Sequence, residues 1–570
     1  MSKRHIFLIG TVLTLVRIGP LRAQQGGTPG GEYYIHGIYN PTIADVQKID
    51  RRPEPVDTLL VDRPPTYTVV NATMPIVPKA DSIAPVRLNV VQANERLYHG
   101  FVKLGYGLYN SPLGELYYDQ TRSKKNGYGI HLKHFSSQGG INDVGPSDLS
   151  FNAADLFYKA VVQRHEILGR GMYDRQRVGY YGYDPIGFDT LDLPEPSAKD
   201  IRQVYNDIGF GLRVRSLYSD SSMIGHDVRV EAHHYTNATG SRETNLTIAA
   251  DLSKQQRTET YEAGILIDNN VYHGVPEGDD PEFDMNGTLV GLIPGVSTVG
   301  KRYRVRVGAG IYVDALGKTT FHFFPQVYAS YSFFDNILVP YVGADGARER
   351  NSLRSLTREN PWTIAAPELA NTSKLYDIFG GIRGSFSANI GFDVRVSTSS
   401  WKDRVLFVTD GYYSHGNQFT IVYDKVNVLD VSGDATYDDG SGTRIHARLD
   451  IFSYHMQDQA EPWNLPPYQL TVGAQYSLRE KLVLKLDARL MGARKAFSPV
   501  FSSVLDDAPS SAETVDLKGF FDLYLGVEYR FTKRLTVFLD ASNLSASKYE
   551  RWFRYPVQRT LVIFGASYSF

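Results

Sequence analysis

Charged side chains recur at every second residue in several stretches of this chain. Between Lys481 and Leu490, the residues Lys485, Asp487 and Arg489 alternate with Leu482, Leu484, Leu486, Ala488 and Leu490. Arg304 and Arg306, with Tyr312 and Asp314, alternate with Tyr303, Val305, Val307, Ala309, Ile311 and Val313. Asp522, Glu528 and Arg530 alternate with Phe521, Leu523, Leu525, Val527 and Tyr529. Opposite charges at this spacing pair across neighbouring strands, and along a wet wall they give a weak ion preference rather than a single-sign filter. In a dry core they would be ruinous. A period of two puts each set on one face of a strand, so one face of these strands must meet water and the other an apolar phase. These eight residues, Arg304, Arg306, Lys485, Asp487, Arg489, Asp522, Glu528 and Arg530, are therefore expected to line a lumen.

Other reactive groupings fail on spacing. No Gly-x-Ser-x-Gly elbow occurs, and the sequence has no cysteine, which excludes thiolate catalysis, zinc–cysteine sites and a lipidated Cys. Its absence also suits an oxidising compartment. His233 and His234 are adjacent in Arg229–Tyr235, a strand that turns them to opposite faces and denies them a common metal. His131 and Lys133 share one face with no chemistry implied. The loop from Glu277 to Asn286 is rich in carboxylates but lacks the spacing of a calcium loop. Gly105-x-Gly107 and Gly308-x-Gly310 precede no helix, so they read as sites of close strand approach rather than phosphate cradles. Trp362, Trp401, Phe407, Tyr412 and Tyr413 fall in stretches read as long loops, where aromatics either meet an external ligand, or pack on one another or form an interfacial belt. No catalytic, cofactor-binding or metal-binding residue is assigned, and the chain is not read as an enzyme; a barrel-embedded hydrolase is the least favoured alternative.

The elements that must position the charged faces are many short strands. The chain has 570 residues, 51 of them glycine and 38 tyrosine, and a net charge of −2, too balanced for a nucleic-acid binder. A mean hydropathy of −0.28 looks soluble, yet a barrel exposes only alternate residues to lipid and keeps this average low. Lys3, Arg4 and the apolar run Ile6–Val16, followed by Leu21-Arg22-Ala23, read as a secretory signal peptide over residues 1–23. Residues 24–98, punctuated by prolines from Pro41 to Pro85, read as an irregular periplasmic leader, with a lumen thread or a docking arm for a protein partner as the sharper alternative. From 99 to 570, strand-like segments are joined by links that alternate short and long. Short links fall near 124–126, 254–257, 334–336, 387–389, 438–442, 479–481 and 532–534. Long ones fall at 139–148, 184–200, 273–286, 348–371, 403–417, 457–466, 498–516 and 545–556. This is the habit of an all-β fold, a large antiparallel transmembrane β-barrel of about 22 strands, with roughly 16 to 24 compatible.

The stretch from Arg559 to Phe570 alternates too. Val562, Phe564, Ala566, Tyr568 and Phe570 share a face, and the terminal Phe with a Tyr two residues before it resembles the signal that outer-membrane barrels present to their insertion machinery. Phe564, Tyr568 and Phe570 are the expected assembly signal. In front of them stand Asn543-Leu544, Tyr549 and Tyr555-Pro556. In order and spacing these resemble the last three strands of TonB-dependent receptors, over about the last 55 residues, while the remaining barrel is similar in style alone. That resemblance implies a barrel of about 22 strands in the outer membrane of a Gram-negative-type envelope, facing lipid. It also implies an amino-terminal plug and a motif that grips the energy-transducing protein. The Pro-rich leader reads as too short and too broken for the plug, and Tyr67–Val70 is the candidate for the gripping motif, a string of a form common by chance. The expected role is a channel or transport component of the outer membrane; the alternative is a non-conducting subunit of an outer-membrane assembly or secretion complex.

Overall fold

A computed structural model describes residues 98–570, except 122, 124, 184–195, 219–221, 412, 413, 415 and 501–510. The signal peptide, the leader up to residue 97 with Tyr67–Val70, Tyr412, Tyr413, residues 184–195 of the long link 184–200 and residues 501–510 of the link 498–516 lie outside the described residues. Twenty-two antiparallel strands form one sheet that closes on itself. The first, Gly100–Gly107, pairs both with the second, Ser111–Gln120, and with the last, Leu561–Ser569. Closure leaves this sheet without an edge strand. The closing pair sets Gly105 opposite Gly565, and a side chain at 565 would collide with the Leu104 carbonyl.

The period of two decides which side chains meet which phase. On the closing strand Phe564, Tyr568 and Phe570 are exposed, whereas Ile563 and Ser567 are buried. The same alternation exposes Ile208, Phe210 and Leu212 on Arg202–Ser216 while burying Gln203, Tyr205 and Asp207. Around a closed sheet, so continuous an exposed apolar band is the surface that contacts lipid. Among the described residues no helix is long and apolar enough to cross a membrane; the strands make the crossing.

The longest links gather at one end of the ring, as the sequence implies, although 108–110, 237–241 and 315–319 at that end are short. At the opposite end tight turns place residues at positive φ: Arg479 and Glu480, or Phe334, Asp335 and Asn336. Asp439 makes another by accepting the N–H groups of Ser441, Gly442 and Thr443 at 2.8–2.9 Å. The links 163–164, 217–224 and 300–302 at this end, and 108–110, 237–241 and 315–319 at the other, are absent from the links named in the sequence reading.

Three long loops are shorter than their sequences imply. Strands Ile390–Thr409 and Phe419–Asp438 run for 20 residues each, beyond the ~9–11 that cross a bilayer, so the loop 403–417 shrinks to 410–418. Asp403, which looks like a loop start, lies in a β-bulge between Trp401 and Arg404 with φ 54°. Trp401 and Phe407 are therefore strand residues. The acidic loop shrinks to 275–282 because its neighbours extend to Gly274 and back to Phe283. The stretch 498–516 contains ends of a hairpin, Arg494–Val500 with Ser511–Leu517. Gly308 lies so near the Pro294 carbonyl that an added Cβ would stand 2.7 Å from it, a close strand approach as expected.

Candidate functional site at the barrel mouth

The connection 350–371, between strands Leu338–Glu349 and Thr372–Ser387, packs against the strands and loops at the barrel's long-loop end. Its local structure begins with Ser352, whose hydroxyl accepts the Ser355 N–H at 3.1 Å while the Ser355 hydroxyl accepts the Ser352 N–H at 2.9 Å. This reciprocal cap starts a helix, α1, at Leu353–Glu359, which buries Leu353, Leu356 and Thr357. Asn360 ends it by donating its N–H to the Leu356 carbonyl at 2.8 Å.

A series of arginines then pins this connection to acids on the wall. Arg348 reaches Asp314 at 2.8 Å and Arg350 reaches Asp268 at 2.7 Å. Glu243 accepts the Leu353 N–H at 2.7 Å, a carboxylate at the end of a helix where negative charge is favoured. Arg354 and Arg358 both reach Asp207, at 2.6 and 2.9 Å, and Arg358 also meets Asp174 at 3.3 Å. These acids stand on Tyr303–Asp314, Glu259–Gly274, Arg242–Gln256, Arg202–Ser216 and His165–Gly179, so the connection follows the wall from strand to strand. Asp207 is 2 % exposed and also meets His233 Nδ1 at 3.0 Å. A carboxylate this deeply buried is tolerable only with such partners.

Beyond the helix the connection reaches two walls. The Trp362 indole N–H donates to the Gly179 carbonyl at 3.0 Å, and the Trp362 carbonyl accepts the Phe419 N–H at 2.9 Å. Gly179 ends the fifth strand of the ring and Phe419 starts the sixteenth. In a ring of 22 these lie half a circumference apart. Tyr180 and Tyr205 add hydroxyl bonds to the Thr363 and Pro361 carbonyls at 3.0 and 2.9 Å. Tyr555 is fully buried between Trp362 and Tyr181, at centroid distances of 4.0 and 4.8 Å, and its hydroxyl donates to the Asn417 carbonyl. Burial pushes the phenols of Tyr180, Tyr181 and Tyr555 well above their ordinary range, so they stay neutral donors. Burial also raises the Glu277 carboxyl, which accepts a bond from Gln418 at 2.8 Å.

Of the loop aromatics, Trp362 and Phe407 pack on other rings, the latter 5.1 Å from Trp552. The residues that resemble the receptor pattern organise the last loop. Asn543, at φ 48°, donates to the Ser547 and Gln558 carbonyls at 2.9 Å each. Tyr549 stacks on Phe520 at 3.9 Å and donates to Asp522 at 2.8 Å.

The eight charged residues expected along a lumen fall into two groups on separate strands. In one, Arg306 pairs with Glu262 at 2.8 Å and Arg304 is exposed. In the other, Lys485 pairs with Glu528 at 2.6 Å, Arg489 lies opposite Asp522, and Asp487 lies opposite Tyr524. Arg530 sits at the short-turn rim, donating to the Glu480 carbonyl at 3.2 Å. His233 and His234 have separate partners, Asp207 and Thr244, and among the described residues no group of three or more His, Asp or Glu is placed to hold a metal. Sequence reading missed the arginine series. Its signal was the spacing of Arg348, Arg350, Arg354 and Arg358 inside a stretch dismissed as a loop.

The sequence matches no protein-family model and no curated relative. The fold does have solved counterparts. An iron transporter from Neisseria meningitidis, FrpB, is 11% identical with a TM-score of 0.63, over 84% of this chain and 82% of its own. The pyoverdine outer membrane receptor FpvA from Pseudomonas aeruginosa, bound to pyoverdine, is 12% identical with a TM-score of 0.59, over 83% and 79%. The copper transporter OprC is 12% identical with a TM-score of 0.59, over 84% and 81%. The chain is thus an outer-membrane-type β-barrel of 22 strands with the fold of these receptors and transporters.

Proposed function

We propose that the protein is a transport component of an outer membrane whose barrel is closed at its long-loop end by the connection 350–371. Arg304, Arg306, Lys485, Asp487, Arg489, Asp522, Glu528 and Arg530 face a wet lumen in this reading, and Phe564, Tyr568 and Phe570 serve as the insertion signal. Residues 24–98 act as a periplasmic arm in place of a standard plug. The observation that carries the reading is the Gly179–Trp362–Phe419 bridge across the ring. A mouth tied through its middle passes solute only when the tie lets go, which distinguishes a gated route from an open pore.

Planar-bilayer recording of the full chain tests it. The intact protein is expected to show at most brief openings, and replacement of 352–370 by a Gly-Ser linker to give sustained channels. If the shortened protein inserts, folds and stays silent, the reading falls and a non-conducting assembly subunit takes its place. That alternative predicts partners that co-purify with the full chain and are lost when 24–98 is removed.

A further inference from the structure

The connection 350–371 leaves the wall and returns to it at paired positions, Glu349 opposite Thr372, and a small cavity lies where its two ends meet. Asn351 draws the ends together by donating to the Ala370 carbonyl at 2.7 Å and to the Thr372 hydroxyl at 2.8 Å. Arg350 at the start of the connection and Asn371 at its end both line a cavity of about 10 Å³. Asn270 and Tyr272, of strand Glu259–Gly274, line it from the wall. Leu289 of strand Phe283–Val299 adds an apolar surface.

Four polar atoms of these residues have no hydrogen-bond partner among the described residues: Asn270 Oδ1, Tyr272 OH, Arg350 Nη1 and Asn371 Oδ1. Tyr272 is 0% exposed, Asn371 3% and Asn270 6%. Three of the four residues are held by a second polar atom. Asn270 Nδ2 donates to Glu243 at 3.3 Å, Asn371 Nδ2 donates to Asp314 at 2.8 Å, and Arg350 Nε meets Asp268 at 2.7 Å. A carboxylate accepts, so the first two contacts fix which way each amide is turned and leave its oxygen as the unused acceptor. The remaining set is two acceptors, one cationic donor and one hydroxyl. Buried polar atoms of this kind are paired in folded proteins, and those that protein groups do not reach are satisfied by ordered water.

Size and valence agree on the occupant. A cavity of roughly 10–15 Å³ holds one water molecule. Water has two hydrogens to give and two lone pairs to fill. Its hydrogens suit the two amide oxygens, and its oxygen suits the Arg350 guanidinium and the Tyr272 hydroxyl. A cation would meet the charge of Arg350, and chloride would meet two amide oxygens. Water meets neither repulsion.

We infer that this cavity is a binding site for one water molecule, which clasps both ends of the connection 350–371 to strand Glu259–Gly274. The clasp acts at the root of the connection, whereas Trp362 acts at its middle. It is independent of conduction through the mouth.

X-ray radiolysis of the full chain in detergent tests for the water directly. Radicals born from a bound water oxidise the side chain it touches, even where bulk solvent does not reach. Tyr272 and Tyr555 form a matched pair. Both are 0% exposed, but Tyr555 gives its hydroxyl to the Asn417 carbonyl. Tyr272 is expected to be oxidised much faster than Tyr555.

Hydrogen exchange in Tyr272→Phe gives a second readout, and its sign separates the alternatives. A hydroxyl bound to water contributes one hydrogen bond to the clasp. Its loss is expected to quicken exchange of the amides at 350–352 and 369–371 about fivefold, the ratio that one ordinary hydrogen bond supplies. A hydroxyl with no partner at all is a buried unmet donor, and its removal would slow exchange or leave it level. Gluconate in place of chloride is expected to change nothing. Oxidation of Tyr272 no faster than that of Tyr555, exchange that fails to quicken in Tyr272→Phe, or protection that rises with chloride overturns the inference. Each of these outcomes leaves the transport reading standing, because none of them measures conduction.

Discussion

Trp362 and Tyr555 stack with ring centroids 4.0 Å apart and planes inclined by 25°, in the middle of a mouth whose other aromatic rings come from both sides of the ring of strands. Neither residue belongs to the lipid-crossing part of the wall. Trp362→Ala should therefore unseat the connection 350–371 without unfolding the barrel, at a cost of about 3–5 kcal/mol to the packed mouth. Trypsin cleavage after Arg354 or Arg358 should become fast while heat-modifiable migration of the barrel stays as before. Unchanged protection of those arginines would contradict the packing assigned to Trp362.

Asp207 should be the strongest single anchor. It is buried and faces Arg354, Arg358 and His233. Asp207→Asn leaves those donors short of a negative partner and should cost about 3 kcal/mol. Hydrogen exchange of the amides in α1 reads this directly. A double-mutant cycle with Arg354→Gln should return a coupling of about 1–3 kcal/mol, and additive effects would show that the pair is not coupled.

Acid should tighten the mouth at Glu277. Burial disfavours its ionised form in the closed state, so its carboxyl there titrates above the ordinary 4.5. Its contribution to closure is fully present below about 4.5 and is lost as pH rises through the raised value. Exchange protection around Gln418 should fall over that window in the native protein and stay level in Glu277→Gln. A rise in protection with pH would reverse the assignment.

Gly565→Val should impair closure of the ring. The added atoms would collide with the Leu104 carbonyl and crowd Phe538, and overpacking at so fixed a pair should cost at least about 1–3 kcal/mol. The readout is the fraction of protein that reaches the heat-modifiable, protease-resistant form. Assembly equal to the parent would mean that the closing pair has more room than its register implies.

Much of the wall was legible from residues such as Lys485, Asp487 and Arg489 set between leucines, because a period of two is a local property that membrane and water enforce together. The count near 22 followed from the same periodicity and from the turns. The mouth was not legible. Arg348, Arg350, Arg354 and Arg358 have meaning only beside Asp314, Asp268 and Asp207, which are distant in sequence, and no periodicity reports such pairs. Asp403 misled for a local reason, since a bulge and a loop start use the same kind of residue.

The bridge from Gly179 through Trp362 to Phe419 has a mechanical side. A ring of ladders resists stretching along its circumference but is soft toward flattening, and a tie between opposite points stiffens that soft mode. Arg348, at the root of the same connection, braces the junction of Thr320–Tyr331 with Leu338–Glu349, where only Val327–Ser330 pair with Tyr341–Ala344. Slackening the tie would let the cross-section change shape, and the strain would collect where the wall has the fewest hydrogen bonds to hold it. The barrel is in this sense a hoop with one spoke and one weak stave, and the spoke is fastened next to the stave.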